Sequence, residues 1–237
     1  MLSIKNYSKS YSKGKKVVDN VSIEVQPGEI FGFIGHNGAG KTTTIKAVVG
    51  ILDFEEGTIL INGNDIKKEP LTCKRDIAYI PDNPDLYNSL TGIQYLNFIG
   101  DIFEVPKAER ENLIKKYSDA FEITKALGDV ISSYSHGMKQ KLALISALIH
   151  KPKLLVLDEP FVGLDPKAAH LLKGFMRDLC DEGGAIFFST HVLEVAEKLC
   201  DKVAIIKGGK IVASGTTEEV KGDGSLEELF MELIDNE

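Results

Sequence analysis

Apolar residues fall along this chain in two rhythms. Runs of strand length occur at Val17 to Val25, Ile30 to Ile34, Thr58 to Ile61, Ile77 to Ile80, Leu154 to Leu157, Ala185 to Phe188, Val203 to Ile206 and Lys210 to Ala213. Between them lie stretches whose apolar residues recur at helical spacing. Strand-length and helical segments in alternation predict an α/β fold, a mostly parallel sheet with helices on its faces. Asn62-Gly63 and Gly208-Gly209 are turn pairs, and the second predicts a hairpin across Val203 to Ala213.

Several helices carry their own end signals. Asp165-Pro166 predicts a side-chain cap with proline in the first turn, and Gly183-Gly184 predicts the stop. Ser225 and Glu228 form a capping box, behind which Leu226, Leu229, Phe230, Leu233 and Ile234 share one face. Thr42 to Val49 reads as a helix with Gly50 just past its end. From about residue 83 to 151 helical signals dominate and strand signals are sparse. That predicts a helical subdomain inserted into the α/β core of one domain covering residues 1–237.

Composition narrows the classes. A chain of 237 residues with 43% hydrophobic and 27% charged residues is an ordinary globular chain with room for a large core. A net charge of −7, with no basic stripe, argues against a nucleic-acid partner but not against a local anion pocket. Cys73, Cys180 and Cys200 are far apart and odd in number, which predicts reduced, buried thiols in a cytosolic setting. The first residues are too polar for a signal peptide, and no apolar run could span a bilayer. Any membrane role is therefore expected to come through a partner.

Chemistry concentrates after the second apolar run. Gly35, His36, Asn37, Gly38, Ala39, Gly40, Lys41 and Thr42 match G-x-x-x-x-G-K-[ST], the phosphate-binding loop, and Thr43 follows directly. Glycines let successive N–H groups converge on phosphate oxygens, and the helix that starts there adds its positive end. Lys41 can reach the β- and γ-phosphates, and the Thr42 hydroxyl can ligate Mg²⁺. The second element is Leu154 to Pro160, a buried strand ending in Asp158 and Glu159. Taken alone, two acids there also fit a solvated strand end. Beside a phosphate loop they read as Asp158 holding Mg²⁺ through its water shell and Glu159 as general base.

With the stretch Tyr134, Ser135, His136, Gly137, Met138 before the second motif, the chain resembles the ATP-binding subunit of an ABC transporter. The likeness covers nearly the whole length. It is closest to the bacterial drug, peptide and antibiotic exporter branch. The resemblance implies a P-loop NTPase core with an antiparallel β subdomain and an inserted helical subdomain. It implies an ATPase using ATP and Mg²⁺, working as a homodimer or pseudo-dimer. Ser135, Gly137 and Met138 would contact ATP held by the other subunit, although Ser135 also fits a plain N-cap. Asp165 would meet its counterpart across the dimer, although helix capping alone accounts for it. His191 would touch the γ-phosphate and orient water. Tyr11 would stack on adenine, with Tyr7 as the fallback and core packing as the bland alternative.

Three positions depart from the family pattern: His136 and Met138 in the signature, and Asp82 where the family commonly carries a metal-contacting glutamine. A carboxylate at position 82 can still meet the cation. Tyr87, Tyr95, Phe98 and Phe103 fit either a groove for a permease helix or ordinary core aromatics. The implied partner is a transmembrane permease, with this chain cytoplasmic on the inner face of the membrane. Export is favoured by the form of Ser135 to Gln140 and by the want of a regulatory domain after the last helix. A soluble family member serving as a cofactor-assembly scaffold shares these motifs. Nucleic-acid-handling members usually carry two ATP units or a long coiled-coil insertion, and this chain has one phosphate loop and no long heptad run.

Overall fold

The computed structural model describes residues 1–12 and 15–235. Its strands are β1 (Leu2–Ser12), β2 (Lys15–Val25), β3 (Ile30–Ile34), β4 (Glu56–Ile61), β5 (Asn64–Asp65), β6 (Ile77–Ile80), β7 (Leu154–Asp158), β8 (Ala185–Thr190), β9 (Lys202–Lys207) and β10 (Lys210–Thr216). Its helices are α1 (Lys41–Val48), α2 (Pro70–Asp76), α3 (Gly92–Ile102), α4 (Lys107–Ala120), α5 (His136–Leu148), α6 (Pro166–Asp181), α7 (Leu193–Leu199), α8 (Thr217–Lys221) and α9 (Leu226–Asp235).

The strands form two sheets. One is antiparallel, in the order β2-β1-β4-β5. The other runs β10-β9-β3-β8-β7-β6 and is parallel except at β10. That exception is the predicted hairpin: Lys207 pairs with Lys210, and Gly208 and Gly209 take φ of +53° and +81°. Side chains strain at such angles, and glycine does not.

Alternation along β3 divides the core. Ile30 and Ile34 face one apolar cluster with Leu155, Leu157 and Phe188, while Phe31 and Phe33 face another with Val156 and Phe187. A strand presents successive side chains to opposite faces, so a sheet covered on both sides reads as a continuous apolar run. The first cluster continues through Leu96, Ile114, Tyr117 and Leu144 of α3, α4 and α5, and through Phe121 just after α4. The second joins α1 and the antiparallel sheet through Ile45, Val48, Leu2, Ile4 and Tyr7. Each such fully buried side chain contributes about 1.5–3 kcal/mol of transfer free energy. Between β6 and β7 the described chain forms α3, α4, α5 and two short 3-10 turns, with a single isolated bridge between Thr91 and Val130.

β1, β5, α2, α7 and α8 were absent from the sequence expectation. β1 was hidden because its alternation changes phase: Leu2 and Ile4 point inward, Asn6 turns at φ +50°, and Tyr7 then points inward. α2 is short and buries only Cys73, too little to show a period. The strands β7 and β8 also run further than their apolar residues, taking in Asp158, Ser189 and Thr190.

The other end signals fold as read. Asp165 Oδ1 accepts from Ala168 N at 2.8 Å, and α6 closes before Gly183 at φ +89°. Ser225 Oγ accepts from Glu228 N at 3.1 Å while Glu228 Oε2 accepts from Ser225 N at 2.9 Å. On the face of α9, Leu226 is fully buried, and the side chain of Ile234 lies outside the described residues. All three cysteines are free and buried, and burial pushes the Cys180 thiol up to about 11. The four aromatics divide: Tyr95 is core and Phe103 stacks on His150 at 3.7 Å, whereas Tyr87 and Phe98 are exposed and meet edge to face at 5.6 Å.

Candidate functional site

The parallel register brings three strand ends together. Ile34 of β3 pairs with Thr190 of β8, and Ser189 of β8 pairs with Asp158 of β7. The phosphate loop, the two acids and His191 therefore leave the sheet at its C-terminal edge, where open α/β sheets bind ligands.

The loop from Gly35 to Gly40 needs its glycines. A Cβ at Gly35 would meet the Ile206 carbonyl oxygen at 2.6 Å, while Gly38 and Gly40 stand at φ +83° and +111°. Gly40 caps α1 without a side chain, and no acid occupies the first turn. Helix N-termini carry N–H groups without intrahelical partners, so this end suits an anion. Lys41 is buried, and its ammonium donates to Gly35 O at 2.6 Å and His36 O at 3.3 Å. A cavity of about 220 Å³ opens here, lined by His36, Asn37, Gly38 and Gly40 to Thr43 with Val17, Asp82, Asp158 and Glu159. A larger cavity of about 370 Å³ lies at the opposite edge of the sheet, between Tyr117, Phe175 and Gly183-Gly184, away from this chemistry.

Asp158 is 2% exposed, and Ser189 Oγ donates to its Oδ1 at 2.5 Å. The same hydroxyl accepts from Glu159 N at 3.1 Å. Glu159 stands at φ +50°, in the left-handed region that costs a non-glycine residue about 1–3 kcal/mol. Its carboxylate turns toward Lys41 Nζ at 3.3 Å and His191 Nδ1 at 3.0 Å. Ser189 thus positions both acids, and sequence reasoning passed over it. Its one signal was a polar pair, Ser189-Thr190, ending an apolar strand and fully buried.

Among the described residues no three His, Cys, Asp or Glu side chains gather as a metal cage. The donors present at the cavity are oxygens: the exposed Thr42 hydroxyl, Asp158, and Asp82 at the rim. So sparse and hard a set fits a small divalent cation that keeps waters and takes phosphate oxygens, as Mg²⁺ does.

Ser135, Gly137, Met138, Asp165 and Tyr7 are not among the residues lining this cavity, whereas Tyr11 borders it through Thr43. Ser135 caps α5, its Oγ accepting from Met138 N at 3.3 Å, and Gly137 and Met138 form the helix's first turn. Both Asp165 oxygens are engaged within the chain, one capping α6 and the other 2.7 Å from Lys141 Nζ. Tyr11 exposes its ring and places its hydroxyl 3.3 Å from Thr43 Oγ1. Tyr7 is fully buried, edge-on to Phe54 at 5.3 Å, so the fallback for adenine stacking is closed: no ring face is free.

Residues 18–162 match the family model described as ABC transporter. The ABC-type transporter ATP-binding protein EcsA of Bacillus subtilis is 34% identical, over 98% of this chain and 96% of its own length. This chain belongs to the ABC transporter ATP-binding family. The linearmycin resistance ATP-binding protein LnrL of Bacillus subtilis is also 34% identical, over 93% of this chain and 70% of its own. A solved ATP binding subunit of an ABC transporter superposes with a TM-score of 0.95 and 36% identity, covering 99% of both chains. As a member of this family the chain is an ATPase that binds ATP. ABC ATP-binding subunits dimerise and work with transmembrane permease components, and among the described residues no helix is long and apolar enough to cross a membrane.

Proposed function

We propose that this chain powers export through a transmembrane permease by binding and hydrolysing ATP at the loop between β3 and α1. The meeting of Lys41, Asp158, Glu159 and His191 at one sheet edge carries the reading. Lys41 and the loop amides hold the phosphates, and Thr42 and Asp158, with Asp82 at the rim, hold Mg²⁺. The cation, when bound, offsets charge on the phosphate oxygens. Glu159 accepts a proton from the attacking water as the bond from the γ-phosphorus to the ADP oxygen breaks. His191, anchored on Glu159, orients that water. Tyr11, exposed beside Thr43, offers its ring to adenine.

In this reading two chains, identical or paired as a pseudo-dimer, enclose two nucleotides. Ser135, Gly137 and Met138 of each complete the other's site with helix N–H groups and a hydroxyl. Asp165 approaches its counterpart across the same interface. Nucleotide that contacts both halves favours the closed state, and its hydrolysis releases it. Exposed Tyr87 and Phe98 give a permease helix an apolar surface, which would hold the chain on the cytoplasmic face of the membrane. Export is supported by the Ser135 to Gln140 form and by the resistance role in the name of the LnrL relative. Calorimetry of the folded full chain should show ATP binding that strengthens with Mg²⁺, and no affinity for adenine nucleotides overturns the reading. Loss of the chain should sensitise cells to the exported compounds; unchanged sensitivity overturns the direction.

A further inference from the structure

His136 stands where the family signature carries glycine, and its ring has a definite seat. A Cβ built on Gly163 would meet His136 Cδ2 and Nε2 at 2.9 Å. Gly163 is at φ +79°, so a side chain there would be strained and would also push on the His136 ring. Beside it, a Cβ on Gly137 would lie 3.4 Å from the Gly163 carbonyl oxygen. Further along α5, Lys141 Nζ reaches Asp165 Oδ2 at 2.7 Å, with the lysine side chain only 17% exposed. The Lys141 ammonium holds the Asp165 carboxyl below its usual range. The start of α5 therefore grips the segment after Glu159 at two points, a ring on a glycine and an ion pair. One turn separates the grip from the base, for Val162 N donates to Glu159 O at 3.2 Å.

We propose that His136 is a positioning residue, which locks the signature turn of α5 to the Glu159–Asp165 segment through its contact with Gly163. The inference rests on the dimeric ATPase reading above, in which Ser135 and Gly137 meet the nucleotide of the other subunit. Phosphate docked on α5 then sets the placement of Glu159 in the same chain. The two sites of a dimer are thereby read together. With glycine at 136 the ring contact is gone, and α5 and the segment shift independently.

Steady-state ATPase against ATP concentration tests this on the full chain, with calorimetric ATP affinity and thermal unfolding measured on the same samples. Wild type should show a Hill coefficient above one, with about two as the ceiling for two coupled sites. His136→Gly should bring it to about one, a loss of coupling between sites. Its kcat should fall about tenfold through misplacement of the base, while single-chain ATP affinity and Tm stay put. His136→Gln keeps a planar group of similar reach over Gly163 and should restore cooperativity. A cooperative His136→Gly enzyme with wild-type kcat overturns the inference, as does a wild-type Hill coefficient of one; both leave the ATPase reading standing. A wild-type chain that binds no nucleotide brings down both.

Discussion

The Lys41 ammonium lies 3.3 Å from the Glu159 carboxylate, and both side chains are largely buried. The contact is Coulombic rather than a hydrogen bond, since Glu159 Oε1 has no hydrogen-bond partner. Two charges to which the proposed mechanism gives different tasks thus face each other in the free chain. In the proposed mechanism, phosphate entering the loop would compete with Glu159 for Lys41 and free the carboxylate to face water.

Glu159→Gln removes the proton acceptor and keeps the shape. Turnover should fall by about 10²–10⁴-fold, the usual worth of a positioned general base. ATP binding should persist, and gel filtration with ATP should show a long-lived dimer. Wild-type turnover in this variant removes Glu159 from the role of base.

Ser189→Ala deletes the hydroxyl shared by Asp158 and the Glu159 backbone. Hydrogen bonds to charged groups are worth about 1.5–3 kcal/mol, so urea unfolding should register a loss of that order. Misplacement of both acids should lower kcat by up to about a hundredfold. A stable, fully active variant would show that the acids hold themselves.

Asp82→Ala tests the departure at the cavity rim. If the carboxylate meets the cation through water, the Mg²⁺ concentration for half-maximal ATPase should rise about tenfold. An unmoved Mg²⁺ titration excludes Asp82 from the metal.

His150 supplies a pH dependence of stability. Its ring is stacked on Phe103, Nδ1 has no partner, and burial holds its pKa below the usual 6.5. As pH falls through that value the unfolded chain takes up a proton that the folded chain refuses. Stability therefore declines toward acid, by at most about 1.4 kcal/mol per pH unit from this one group. His150→Gln should flatten the fall of the denaturation midpoint as pH drops below about 6.5. Equal slopes in both proteins would assign the trend to other groups.

Much of this was legible in the order of residues. Local signals encode the glycine loop, the Asp165 cap and the hairpin at Gly208-Gly209, because each depends on neighbours within a few positions. Asp158 and Glu159 were legible because a strand of aliphatics points at them. Ser189 was not, since its importance arises from strand pairing with Asp158, a tertiary fact. β1 was hidden by the turn at Asn6, and the seat of His136 on Gly163 by the distance between them in the chain. Tyr7 and Tyr11 looked alike in sequence, and burial alone separates them.

In the six-stranded sheet β8 stands between β3 and β7. The loop strand and the acid strand do not pair with each other; residues 185–190 pair with both and join them into one sheet. A ribosome that has released Lys41, Asp158 and Glu159 has made the motifs but no catalyst. The pairing of β8 with β3 joins residues far apart in the chain, a non-local contact of the kind that folds slowly. Fragments ending at Glu182 should be as silent toward nucleotide as chains lacking the loop altogether.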